Sequence, residues 1–132
     1  MKKLSAAALT LATIGLTATP SFAITPRMIS SLKQMDPQTR LEQRCDIAAL
    51  ETIAHDSKRF KPDKVIAYAF SDPKFGKNSV TATGAAFRSG GEWRKLSYVC
   101  KTAADHIEMK SFDYQIGDVV PRKNWDAHYL VP

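Results

Sequence analysis

Residues 84–100 read GAAFRSGGEWRKLSYVC, two strand-like runs around a pair of glycines. Val80 to Arg88 and Trp93 to Lys101 are rich in threonine, valine, phenylalanine, tryptophan and tyrosine, and they flank Ser89-Gly90-Gly91. Such residues suit a pleated, half-buried surface, and Gly-Gly tolerates the positive φ of a tight hairpin turn. In the second run Leu96, Tyr98 and Cys100 fall on one face while Lys95, Ser97 and Lys101 fall on the other. That period of two describes a strand buried on one side. In the first run Thr81, Thr83, Ala85 and Phe87 alternate with Val80, Ala82, Gly84 and Ala86. Neither set is strongly polar, which places this strand inside a sheet. Gly84 and the alanines leave room for a bulky cover, either a helix or the Trp93 ring.

A helix is available upstream. Asp36-Pro37 reads as its start, with aspartate capping free amides and proline preorganised for the first helical position. Leu41, Cys45, Ala48 or Ala49, and Thr52 or Ile53 recur at helical spacing, which predicts a helix over Pro37–Ala54. Cys45 lies on its apolar stripe. The chain has two cysteines, and in an exported protein they form one disulfide, Cys45–Cys100, stapling the helix to the second hairpin strand. Their separation of 55 positions makes loop closure worth roughly 3–4 kcal/mol in the chain-entropy account.

The export expectation comes from the N-terminus. Lys2 and Lys3 precede an apolar stretch from Leu4 to about Leu16, and Ser21 and Ala23 suit signal-peptidase cleavage before Ile24. Residues 1–23 are thus read as a signal peptide, too short in its apolar part for a permanent anchor. The segment left, 24–132, has the length of a single domain. Its formal charge falls from +6 to +4 because Lys2 and Lys3 leave with the signal. A periplasmic or secreted location follows, in which nucleic acid is the wrong partner. The positive balance favours an anionic envelope polymer, or equally serves solubility.

The remaining chain fills out the sheet. Residues 24–35 are expected as a flexible lead-in, and Ser57–Lys64 as a loop in which Pro62 prevents regular structure. Val65–Phe70 is read as a strand apolar on both faces, and Lys74–Ser79 as a looser stretch. Thr102–Asp105 turns the chain into a strand over Ile107–Gln115, and Ile116-Gly117-Asp118 turns it again. Trp125, Tyr129 and Leu130 in the tail are placed to close an open end of the core. The expected class is α+β: one N-terminal helix on a small, mostly antiparallel sheet of about four strands, with one disulfide.

Five blocks together resemble a known family: RLEQRCD at 40–46, PDKVIAYAFSDP at 62–73, GAAFRSGGEWRKLSYVC at 84–100, HIEMKSFDYQIGD at 106–118, and Pro121, Trp125, His128, Tyr129 and Leu130 at the close. The family is an alphaproteobacterial one of rhizobial type, defined only as domain of unknown function number nine hundred and thirty. The similarity covers roughly residues 35 to 131. Both cysteines lie inside family-like blocks. The resemblance implies an exported envelope protein and carries no activity, cofactor or site residue with it.

Residue chemistry offers three classes of site. His106 with Asp105 or Glu108, and His128 from the tail, is the set a zinc ion would need; His55 stands apart, and no zinc-site spacing is present. Asp105-His106 more simply makes a turn, and neither a metal nor a cofactor is expected. Ser89 and Ser97 lack the strand-to-helix elbow of a nucleophile. Glu42, Glu51, Glu92 and Glu108 are candidates for a glycosidase carboxylate pair, although Glu42 and Glu51 read as the solvated side of the helix. The third class is a basic-aromatic rim of Arg88, Trp93, Arg94, Lys95, Arg122, Lys123, Trp125 and Tyr129, in which rings stack on sugars and cations hold anions. Both tryptophans can equally be core. The function expected is a non-enzymatic envelope protein that binds an envelope protein or an anionic glycan. A small cell-wall hydrolase, or an inhibitor of one, is the alternative.

Overall fold

The computed structural model describes residues 24–132 together with Gly15. The signal-peptide reading therefore lies outside the described residues. An eight-residue helix, α1 (Pro26–Lys33), precedes the long α2 (Pro37–Asp56), and five strands follow: β1 (Pro62–Ile66), β2 (Lys74–Phe75), β3 (Ser79–Ser89), β4 (Glu92–Thr102) and β5 (Met109–Val119). The sheet is antiparallel in the order β1-β3-β4-β5, with β2 beside β1 on the same edge of β3. The class is α+β, with two helices and five strands where one and about four were expected.

The hairpin forms as its sequence dictates. Gly90 and Gly91 take φ of 59° and 79° between β3 and β4, the left-handed conformation that only glycine adopts freely. Cys45 and Cys100 are bonded, joining α2 to β4. On the helix-facing side of the sheet Leu41, Cys45, Ala48, Ala49 and Ile53 pack against Val80, Ala82, Ala85, Phe87, Leu96, Tyr98, Cys100 and Phe112. The β3 set departs from simple alternation. A bulge between Ala82 and Ala85 advances the phase by one residue, so Val80 and Ala82 share a face with Ala85 and Phe87.

That bulge also explains where β1 ends. Val65 and Ile66 pair with Phe87 and Ala86, after which the chain leaves the ladder and Phe70 N donates to Gly84 O at 2.8 Å. Gly84 faces the Phe70–Ser71 backbone, not a helix or an indole: a Cβ there would collide with Ser71 N. Val65–Phe70 is thus strand only in its first two residues, though it does serve both sides of the sheet. Val65 and Ala67 join the helix-side core, and Ile66 and Ala69 the opposite one. Pro62 begins β1 instead of preventing it, a position where an edge strand needs no amide donor.

Two further expectations are corrected. The lead-in is helix α1. Thr25 caps it through Met28 N with Pro26 in its first turn, and the Arg40 guanidinium closes its other end on Leu32 O, Lys33 O and Met35 O at 3.0–3.2 Å. At the other terminus β5 runs through residues 116–118 to Val119 without turning. Gly117 is a close approach, its Cβ position being 3.0 Å from Lys95 Cβ.

Candidate functional site

The second face of the sheet is covered over only part of its length. At the hairpin end Ile66, Ala69, Ala86, Trp93, Val120, Trp125 and Leu130 form a separate cluster with Phe70 against it. The two indoles anchor this layer: Trp93 Nε1 donates to Val131 O at 2.8 Å, and Trp125 Nε1 to Val120 O at 2.9 Å. Beyond it the face is open. Strand pairing sets Lys74, Thr81, Val99 and Asp113 in one cross-strand row, Ser97 and Gln115 in the next beside Thr83, and Lys101 with Ser111 at the far side.

A groove of about 300 Å³ follows these rows, lined by Thr81, Thr83, Ser97, Val99, Asp113 and Gln115. A smaller one of about 170 Å³ continues it through Lys95 and Gly117. The larger groove offers hydroxyls and an amide over a floor that exposes more apolar than polar surface, and among the described residues Lys74, Lys95 and Lys101 share its face of the sheet with the Asp113 carboxylate. A third hollow of about 200 Å³ lies between the helices, against Met28, Leu32, Met35 and Ile47.

The eight rim residues are not brought into one surface. Trp93 is 0 % exposed and Trp125 is buried. Arg88 is held by Asp63, with Nε and Nη2 donating at 2.9 and 3.0 Å, and this pairing keeps the Asp63 carboxyl below the usual carboxylate range. Arg94 lies over Phe60 on the helix side, whereas Lys95 lies over Phe70 on the other, at 5.5 and 4.8 Å from the ring centres. Arg122 covers the Trp125 ring at 4.9 Å, and Lys123 is exposed beside it. Tyr129 is 65 % exposed, and its ring meets Tyr68 edge-on at 5.6 Å.

The histidines do separate work. The His106 ring lies 2.8 Å from Pro37 O and 3.0 Å from Lys77 O, tying the start of α2 to the β2–β3 link. His128 contacts Ala69 O at 2.9 Å and stacks on Phe70, and His55 contacts Asp56 at the surface. Among the described residues no three His, Cys, Asp or Glu side chains gather at one point. Asp105 makes the expected turn, accepting from Ile107 N and Glu108 N. Ser89 Oγ accepts from Lys61 N, while Ser97 lines the groove.

The carboxylates are also dispersed. Glu108 pairs with Lys110, and Glu92 opens β4. Glu51 is not on a solvated side: it approaches Arg44, which is 1 % exposed and donates from Nε to Ile107 O at 2.7 Å. Burial pushes the Glu51 carboxyl up and the Arg44 guanidinium down. The most perturbed acid was not singled out from sequence. Burial, and then the neighbouring Glu42, push Asp46 up to about 7, opposed by the Tyr98 hydroxyl 3.5 Å away. Its only sequence signal is a carboxylate one residue from the stapled Cys45.

Residues 32–130 match the family described as Domain of Unknown Function (DUF930). The chain belongs to this family. The match takes in α2, all five strands, both cysteines and the tail through Leu130. No curated protein and no solved structure matches the chain.

Proposed function

We propose that the protein is an exported, non-enzymatic cell-envelope module that binds an anionic glycan along the open part of its sheet. The observation that carries this reading is the groove of Thr81, Thr83, Ser97, Val99, Asp113 and Gln115 with three lysines on the same face. Hydroxyl and amide groups exchange hydrogen bonds with sugar hydroxyls, and ammonium groups favour carboxylate or phosphate substituents. A linear polymer suits an open groove better than a deep pocket. Export to the periplasm or medium, in an alphaproteobacterial envelope, is part of the proposal and rests on the N-terminal sequence and the residue blocks.

The test is co-sedimentation with purified sacculi and outer-membrane vesicles between ~50 and ~300 mM salt, a range over which screening shortens markedly. Lys95→Glu with Lys101→Glu should abolish retention, and wild-type retention should fall as salt rises. Arg94→Glu, on the other side of β4, serves as the matched control. Retention that ignores both salt and the double change would remove the groove as the binding surface and favour an apolar protein partner.

The hydrolase reading has one observation in its favour. A carboxyl whose pKa is raised toward neutrality, as burial pushes Asp46 up to about 7, is what a general acid requires. Asp46 is packed beside Tyr98 and lines none of the three grooves described above. Turnover of labelled peptidoglycan that disappears in Asp46→Asn would reverse the order of the two readings.

A further inference from the structure

The tail turns through a conformation that costs a tyrosine energy. Tyr129 has φ 60° and ψ 18°, the left-handed region in which a Cβ crowds the backbone and glycine is the usual occupant after a helical turn. The turn itself serves the fold. His128 N and Leu130 N both donate to Trp125 O, Leu130 is buried, and Val131 O receives the Trp93 indole. A glycine at 129 would make the same turn without the penalty. The tyrosine ring gives little back through burial, since it is 65 % exposed and its partner Tyr68 is 45 % exposed.

We propose that Tyr68 and Tyr129 form a stacking platform for a pyranose ring. This deepens the glycan reading above and rests on it. Size argues for a sugar: an aromatic side chain offers about 150–250 Å², so two partly exposed rings present on the order of 200 Å². A protein partner needs about 800 Å² from each side. The chemistry agrees, because the negative π face of a ring attracts the weakly positive C–H face of a pyranose, and each phenol adds a hydrogen-bonding hydroxyl. A run of contacts leads from the groove's end toward the tail. Lys95 at the groove's end lies over Phe70, Phe70 stacks on His128 with ring centres 4.0 Å apart, and Tyr129 is the next residue.

The probe is chitotetraose, a neutral β-linked oligosaccharide, titrated by calorimetry into protein purified from the full-length chain. Tyr129→Gly should weaken binding at least about tenfold while Tm holds or rises, because the strained backbone is relieved. Tyr68→Ser should weaken it similarly. Arg94→Glu, on the helix side of β4, should keep both chitotetraose binding and retention on sacculi, whereas Lys95→Glu with Lys101→Glu should lose retention on sacculi. The platform is overturned if wild type does not bind chitotetraose, if Tyr129→Gly binds it unchanged, or if Tyr129→Gly loses several degrees of Tm. Normal retention of Tyr129→Gly on sacculi, alongside loss by the lysine variant, would leave the groove standing and remove the tyrosines from it.

Discussion

The two faces of this sheet are built on different terms. The helix side is continuous: α2 runs its length, a disulfide ties it to the central hairpin, and the apolar set is unbroken from Leu41 to Phe112. The tail side is local, a patch made of two indoles and a short returning chain that stops before Thr83 and Ser97. A sheet covered on both sides along its whole length would have been a plain core. Covering one side only in part leaves strand residues facing solvent, and those are threonine, serine, glutamine and lysine, with Val99 and Asp113 among them.

The largest effect should come from breaking the local side. Trp93→Ala removes a fully buried indole and its bond to Val131, and should cost about 3–5 kcal/mol in urea unfolding. Loss of the tail's protection against proteolysis should accompany it. Cutting the staple on the helix side comes next. Cys45→Ala with Cys100→Ala should cost roughly 3–4 kcal/mol, and the wild-type protein should show no titratable thiol without reductant.

Asp46 sharpens the comparison, because it is an acid at the edge of the continuous side. Its folded pKa is raised, so between about pH 4 and about pH 7 the folded state holds a proton that the unfolded state has released. Stability should therefore decline as pH rises through that window and level off above it. Asp46→Asn should flatten the decline and gain on the order of 1–2 kcal/mol at pH 8, a figure discounted for the partial exposure of the group. Chemical denaturation across pH measures it; an identical slope in the variant would contradict the assignment. The smallest effects belong to the open face, where Thr83→Ala or Gln115→Ala should shift stability within about 0.5 kcal/mol.

Much of this fold is legible in the sequence where one physical signal acts alone. The hairpin follows from Gly90-Gly91 and alternation, α2 from Asp36-Pro37 and its stripe, and the disulfide from two cysteines with no competing partner. Thr25-Pro26 carries the same cap-and-proline signal as Asp36-Pro37, but α1 is too short to show a stripe, and it depends on Arg40 reaching back from α2. The β3 bulge defeats alternation because it depends on the backbone crossing at Ser71, a contact thirteen residues away in sequence. The rim falls in two stretches, 88–95 and 122–129, and makes one surface only if the strand rim and the tail present these side chains together. Alternation already sets Arg94 and Lys95 on opposite faces, as the structure has them; what the sequence leaves open is that both indoles turn inward to carbonyl acceptors. The groove was hidden because Thr83, Ser97 and Gln115 sit on three strands and meet only through register.

The central claim is that the uncovered part of the sheet is a surface for binding. Amide chemical-shift mapping tests it most directly, with ¹⁵N-labelled protein titrated with a soluble anionic peptidoglycan fragment. Shifts should concentrate at Thr81, Thr83, Lys95, Ser97, Val99 and Gln115, with α2 and the Arg94–Phe60 contact unchanged. Shifts centred on α2, or none on the open face at saturating fragment, would contradict the account.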